Sequence, residues 1–170
     1  VHIEPLGIYS RRHKSFADVP EKGTVAVPNN VTNLSRALYL LQDNGLIKLK
    51  PGFNDPAADQ ATPKDIAENP KQLKILEIES PQIPRSLDDV DLAVINGNYA
   101  LDAGLVPAKD ALGLEKAEHN PYANILVTTP KLEHDPRIAQ LAKDLTSPEV
   151  AKYITDNFAG SVIPVAGGKP

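Results

Sequence analysis

The 170-residue chain is 41% hydrophobic and 24% charged, which suits a packed globular fold and argues against disorder. Its net charge of −4 comes with no run of Lys and Arg, so nucleic acid is not an expected partner. The absence of cysteine excludes disulfides, thiolate metal sites and thiol nucleophiles within these residues.

Val1-His2-Ile3 already reads as a strand, so this N-terminus is expected to lie inside a longer protein, with any signal segment upstream. Thr24–Val27 is a short apolar strand ended by Pro28. Thr32 offers a cap for a helix that places Leu34, Ala37, Leu38 and Leu41 on one face and stops at Asn44-Gly45. The Pro/Asp/Ala-rich segment 50–62 reads as a surface loop. A short helix is expected over Pro63–Glu68, a strand over Leu73–Glu79, and irregular chain over Pro81–Pro84. Ser86–Asp89 suggests one capped turn, feeding Leu92–Ile95, a continuous apolar run of the kind buried in parallel sheets.

Tyr99–Gly104 is expected to be helical and Asn124–Thr128 to be a strand. Two C-terminal helices begin at Asp135-Pro136 and at Ser147-Pro148-Glu149, with Pro at the first helical position. Their apolar faces are Ile138, Leu141, Ala142 and Leu145, then Val150, Ile154 and Phe158. Strands alternating with helices indicate an α/β fold with mainly parallel sheets.

Three stretches can carry chemistry. In Pro28–Arg36 a strand ends and a helix begins, with Asn33 and Arg36 expected in its first turn. Arg36 there opposes the helix dipole, which makes sense if its planar fork helps hold a carboxylate. The competing reading is an exposed arginine paired with a nearby acid. In Ile95–Ala100 a buried strand delivers Asn96 to a sheet edge, where an amide can accept from an ammonium and donate to a carboxylate; the plainer reading is an Asn-Gly turn. Asn120–Asn124 is by itself a loop-to-strand junction.

His2, His13, His119 and His134 lack metal-ligand spacing, and Asp88, Asp89 and Asp91 lack a calcium-loop pattern. Gly167-Gly168-Lys169 has no following helix and makes no phosphate loop. No nucleophile–base motif occurs. No enzyme, metal or cofactor is expected.

Several runs, in order, resemble the NlpA/MetQ family of substrate-binding lipoproteins. They are HIEPLGIYS (2–10), VAVPNNVTNLSRALYLLQ (25–42), GLIKLK (45–50), ENPK (68–71), PRSLDD (84–89), AVINGNYA (93–100) and PYAN (121–124). The resemblance covers nearly the whole chain. It implies a two-lobed periplasmic-binding-protein (type II-like) fold, with one lobe incomplete here. Residues 1–9 would form a first-lobe strand and crossing, 10–94 the second lobe, and 95–170 the return crossing and the rest of the first lobe.

The implied function is capture of L-methionine or a close relative by lobe closure; the alternative is a binding protein for another small solute, such as a different amino acid or a short peptide. Delivery to the permease and ATPase of an ABC importer would follow. The implied contacts are Arg36 with Asn33 for the ligand carboxylate, and Asn96 and Asn124 for its ammonium and carboxylate ends. An extracytoplasmic location and an upstream lipid anchor also follow from the resemblance. An incomplete lobe would leave apolar surface open, so a complementary fragment or a dimer is expected. Two positions depart from the family pattern. Asn29–Asn33 replaces the usual Asn-Asp-Pro-Thr-Asn, and Ser35 stands where Gly is common.

Overall fold

The computed structural model describes residues 1–118, 120–158 and 160–165, so His119 and the Gly167-Gly168-Lys169 stretch lie outside the described residues. In chain order the elements are β1 (His2–Ile3), β2 (Gly7–Tyr9), β3 (Thr24–Pro28), α1 (Val31–Asp43), β4 (Lys48–Leu49), β5 (Ile66–Glu68) and β6 (Lys74–Ile78). There follow β7 (Leu92–Ile95), α2 (Gly97–Asp102), α3 (Pro107–Asp110), β8 (Gly113–Leu114), α4 (Pro136–Leu145), α5 (Pro148–Phe158) and β9 (Ile163–Pro164). The chain forms two compact units, one of residues 6–115 and one of residues 1–5 with 116–170.

The larger unit is built on a five-stranded sheet in the order β6-β3-β7-β2-β8. β3 pairs in parallel with β6 and β7, whereas β2 pairs antiparallel with β7 and β8. The α/β class holds: four of the five strands run in the same direction and β2 alone is reversed, which makes the sheet mixed. The reason is that β2 enters the sheet from the opposite end, and two-residue β8 was too short to carry a sequence pattern. All four residues of β7 are fully buried, with parallel β3 on one side and antiparallel β2 on the other.

Alternation along the strands sorts side chains to two faces. Leu92 and Val94 join Ile8, Val25 and Val27 under α1, while Ala93 and Ile95 join Tyr9, Ala26, Ile83, Leu87 and Ala100 on the other side. Leu38 and Leu41 of α1 are fully buried. Each such side chain contributes about 1.5–3 kcal/mol by leaving water.

Helix α1 starts two residues earlier than the Thr32 cap implies. Asn30 is the cap, and its Oδ1 accepts from the Asn33 N–H at 3.0 Å. The C-terminus follows the expected Asn-Gly stop. Gly45 adopts φ +71°, and the N–H groups of Leu46 and Gly45 donate to the carbonyls of Leu41 and Gln42. The segment 50–62 packs on α1 instead of lying free: the Ala61 N–H donates to Ser35 Oγ at 2.9 Å, and Tyr39 Oη donates to the Asp59 carbonyl at 3.0 Å. That cover buries Ser35 and Tyr39 as well as the expected apolar face.

Two local expectations give way to hydrogen bonding. Over Pro63–Glu68 one 3-10 turn (Pro63–Asp65) forms, after which Ile66–Glu68 becomes a strand paired with β4. Pro81–Pro84 lies within a 3-10 helix spanning Ser80–Ser86, with Ile83 fully buried. Ser86 ends that helix, and the expected turn follows it, with the Asp89 and Val90 N–H groups donating to the Ser86 carbonyl; the Ser86 hydroxyl does not cap that turn but donates back to the Ile83 carbonyl. Within the larger unit β7 leads directly into α2, and the division between the two units falls between Glu115 and Lys116.

In the smaller unit β1 pairs antiparallel with β9, and Ile3 is fully buried. The expected strand Asn124–Thr128 reduces to a single bridge from Asn124 to His2. Ile125 and Val127 are 74% and 75% exposed, because a strand needs a ladder and none of the described residues supplies one beyond His2. Both C-terminal helices form, with Asp135 capping α4 through a bond from the Arg137 N–H. Their expected faces are only partly covered: Ile154 is buried, but Leu141 is 43% exposed.

Candidate functional site

Three of the four expected contact residues belong to one end of the larger unit. Parallel β3 and β7 both deliver their C-terminal ends there, where open α/β sheets bind ligands. After β3 comes α1, carrying Asn33 and Arg36; after β7 comes Asn96, which caps α2 with extended backbone. Gly7 of β2 is the register partner of both Ile95 and Leu114, so Leu6, Asn96 and Glu115 each lie one residue beyond a shared point at the same edge.

Arg36 is the sixth residue of α1, in its second turn rather than its first, because the helix begins at Val31. It is 8% exposed, so neither the dipole argument nor an exposed surface pair describes it. Its Nε donates to Glu115 Oε1 at 2.6 Å and its Nη2 to Oε2 at 2.5 Å. Oε2 also accepts the Leu6 N–H at 2.8 Å. A buried guanidinium demands a carboxylate partner, and this one comes from the last residue of the unit in chain order, 79 positions away. Sequence reasoning missed Glu115. The only available signal was that a buried Arg needs an acid, and 22 Asp and Glu residues could have answered it.

Asn96 presents a second feature. Its Oδ1 is buried and accepts no hydrogen bond from the described residues. An orphaned amide oxygen costs free energy unless a donor reaches it, and an ammonium is such a donor. Asn33 is half-buried, with its backbone N–H engaged by the Asn30 cap.

Asn124 belongs to the smaller unit and is exposed. Its N–H donates to the His2 carbonyl at 2.7 Å, its carbonyl accepts from the Val1 ammonium at 2.8 Å, and its Nδ2 lies 3.2 Å from His2 Nε2. The structure thus gathers Asn33, Arg36 and Asn96 on one unit and holds Asn124 on the other.

The two family departures find local reasons. Asn30 both accepts from Asn33 and donates its Nδ2 to Ser80 Oγ at 3.1 Å, a donation that an Asp could not make. Ser35 supplies the acceptor for the Ala61 N–H, which a Gly would lack. A surface depression of about 660 Å³, lined by residues including Arg11, Arg85, Asp88, Tyr99 and Asp102, does not include the expected contacts.

The chain resembles known proteins over nearly its whole length. Residues 1–166 match the NlpA lipoprotein family. The chain is 42% identical over 163 residues to the D-methionine-binding lipoprotein MetQ of Escherichia coli K12, covering 95% of this chain and 58% of that protein. It is 42% identical over 161 residues to outer membrane lipoprotein 2 of Mannheimia haemolytica, covering 95% of this chain and 56% of that protein. The chain therefore spans rather more than half the length of these curated relatives. Among solved structures, a nutrient binding protein from Burkholderia cenocepacia bound to methionine superposes with a TM-score of 0.88 at 47% identity, covering 96% of this chain and 67% of that one. The chain shares its α/β architecture with that methionine-bound protein, and it belongs to the NlpA lipoprotein family.

Proposed function

We propose that this protein is an extracytoplasmic solute-binding protein that captures methionine and hands it to an ABC importer without altering it. One observation carries this reading: at 47% identity, the Burkholderia cenocepacia relative is described as bound to methionine. Local chemistry supports it. Arg36 with Asn33 offers donors for a carboxylate, and the orphaned Asn96 Oδ1 offers an acceptor for an ammonium. Asn124 is the fourth contact of the proposal.

The partners in this reading are the permease and ATPase of the importer. A lipid anchor upstream of these residues holds the protein at the outer face of a membrane, as the family description implies. Among the described residues no helix is long and apolar enough to cross a membrane.

Isothermal titration of the full-length protein with L- and D-methionine tests the proposal. Binding of either enantiomer, weakened at least 100-fold by Arg36→Ala, is expected. No binding of methionine, or affinity unmoved by Arg36→Ala, overturns the reading. Preference for a different solute in a panel of amino acids and short peptides would replace methionine with that solute.

A further inference from the structure

Two asparagines follow parallel strands of the same sheet, and both stand at helix N-caps. Asn30 comes after β3 with φ −77° and ψ 141°, and its Oδ1 accepts the N–H of Asn33 at 3.0 Å. Asn96 comes after β7 with nearly the same backbone, φ −63° and ψ 144°. Its carbonyl accepts the Ala100 N–H at 2.9 Å. Everything that capping asks of the backbone is therefore in place at α2. Only the side chain departs from the pattern. Asn96 makes no side-chain bond to the first turn, and its Oδ1 is buried without a donor among the described residues.

That arrangement is unfavourable twice over. A buried amide oxygen has given up water without gaining a partner, and a short helix forgoes a bond that asparagine supplies well. Rotation about χ1 is what separates the oxygen from the Tyr99 N–H, the counterpart of Asn33 at α1. Without another donor, Asn96 gains by turning to cap α2. A ligand ammonium at Oδ1 reverses that preference, because a charged donor makes the stronger hydrogen bond.

We infer that Asn96 is a two-position switch: ligand-free, its Oδ1 caps α2 through the Tyr99 N–H, and a bound ammonium draws it off the helix. This rests on the reading of Asn96 as an ammonium contact. Ligand and helix compete for one oxygen, so capture leaves α2 uncapped. The consequence reaches the surface, because Tyr99 and Asp102 of α2 line the depression that also holds Arg11 and Arg85.

Crystal structures of the full-length protein, ligand-free and with methionine, test the switch alongside NMR amide exchange in both states. Ligand-free, Asn96 Oδ1 is expected about 3 Å from the Tyr99 nitrogen; with methionine, it is expected on the ammonium. The Tyr99 amide is expected to exchange about fivefold faster with methionine than without, the typical effect of losing one N-cap. Binding without the switch would slow that exchange instead. In ligand-free Asn96→Ala, Tyr99 exchange is expected to rise by about the same fivefold, while Asn33, under its own cap, stays unchanged.

An Oδ1 that stays off the helix in the ligand-free crystal, or Tyr99 exchange that slows on binding, overturns the inference. So does Tyr99 exchange in ligand-free Asn96→Ala equal to that of the wild type. Full-length protein that binds no methionine sinks the ligand reading and the switch with it. Methionine binding with Asn96 in one position throughout sinks the switch alone.

Discussion

Glu115 grips the Nε–Nη2 edge of Arg36 across 79 positions of sequence, with the two side chains only 9% and 10% exposed. Removing Glu115 would take away the bidentate carboxylate that faces Arg36 in a poorly solvated place. Glu115→Ala is therefore expected to destabilise the fold by about 3 kcal/mol, in the range typical of broken buried pairs. The double variant Arg36→Met/Glu115→Leu should lose less than the sum of the single changes. Urea unfolding of the four proteins measures this, and strict additivity would refute the coupling.

Tyr9 and Gly7 depend on each other within β2. A Cβ on Gly7 would come 2.7 Å from the Tyr9 hydroxyl and ring, and Tyr9 is 1% exposed, so the ring has little room to move. Gly7→Ala is expected to cost about 1–3 kcal/mol as overpacking. The Tyr9 hydroxyl itself accepts and donates nothing among the described residues. Burial, and then the negative charge of Asp110, push its pKa well above that of an ordinary tyrosine. Tyr9→Phe should therefore be neutral or stabilising by up to about 1 kcal/mol. A clear loss of stability would reveal a partner for the hydroxyl.

Asp91 ties β7 to β3 and to the loop after β2. Its carboxylate accepts from His13 Nε2 at 2.8 Å, the Thr24 N–H at 2.7 Å and the Thr24 hydroxyl at 3.2 Å. Burial alone would raise its pKa, but these hydrogen bonds outweigh burial and hold it below the usual carboxylate value. A depressed carboxylate stabilises the fold above its unfolded pKa of about 3.9, and that stability is lost as pH falls through the folded value. Stability should thus drop below about pH 4, with a shallower pH slope in Asp91→Asn. Asp91→Asn should also cost about 1–3 kcal/mol at neutral pH. Urea midpoints from pH 2 to 7 test both statements, and parallel curves would rule out the linkage.

Asn30 closes the start of α1 and reaches Ser80 in the neighbouring 3-10 helix. Asn30→Ala should lose about 1 kcal/mol, as is typical of an N-cap. Asn30→Asp keeps the cap and should recover most of it, with the Ser80 hydroxyl turning to donate. Thermal unfolding of the three proteins would show whether the aspartate is as poor as alanine, the result that would remove the capping role.

Ile125 and Val127 stand open to solvent in the smaller unit. Residues 1–170 studied alone should therefore self-associate, and Ile125→Lys/Val127→Lys should shift them toward monomer with less than about 0.5 kcal/mol change in stability. Light scattering across a concentration series decides. A monodisperse wild-type monomer of these residues would count against it.

The residues alone determined most of the local structure. Pro28, the Asn44-Gly45 stop and the two proline-led helix starts act through backbone geometry that each residue carries with it. The apolar run Leu92–Ile95 had to be buried whatever lay beside it. The family, too, was legible, because its motifs recur in order along nearly the whole chain. Tertiary structure decided what depends on partners distant in sequence. Strand direction in the sheet, the fate of Asn124–Thr128 and the packing of 50–62 onto α1 all turn on which ladder or acceptor is in reach. The same holds for Arg36: its chemistry announced a need for an anion, but only the sheet register that brings Leu114 beside Gly7 placed Glu115 there to meet it. Charge and hydrogen-bonding capacity belong to a residue, whereas the choice of partner belongs to the fold.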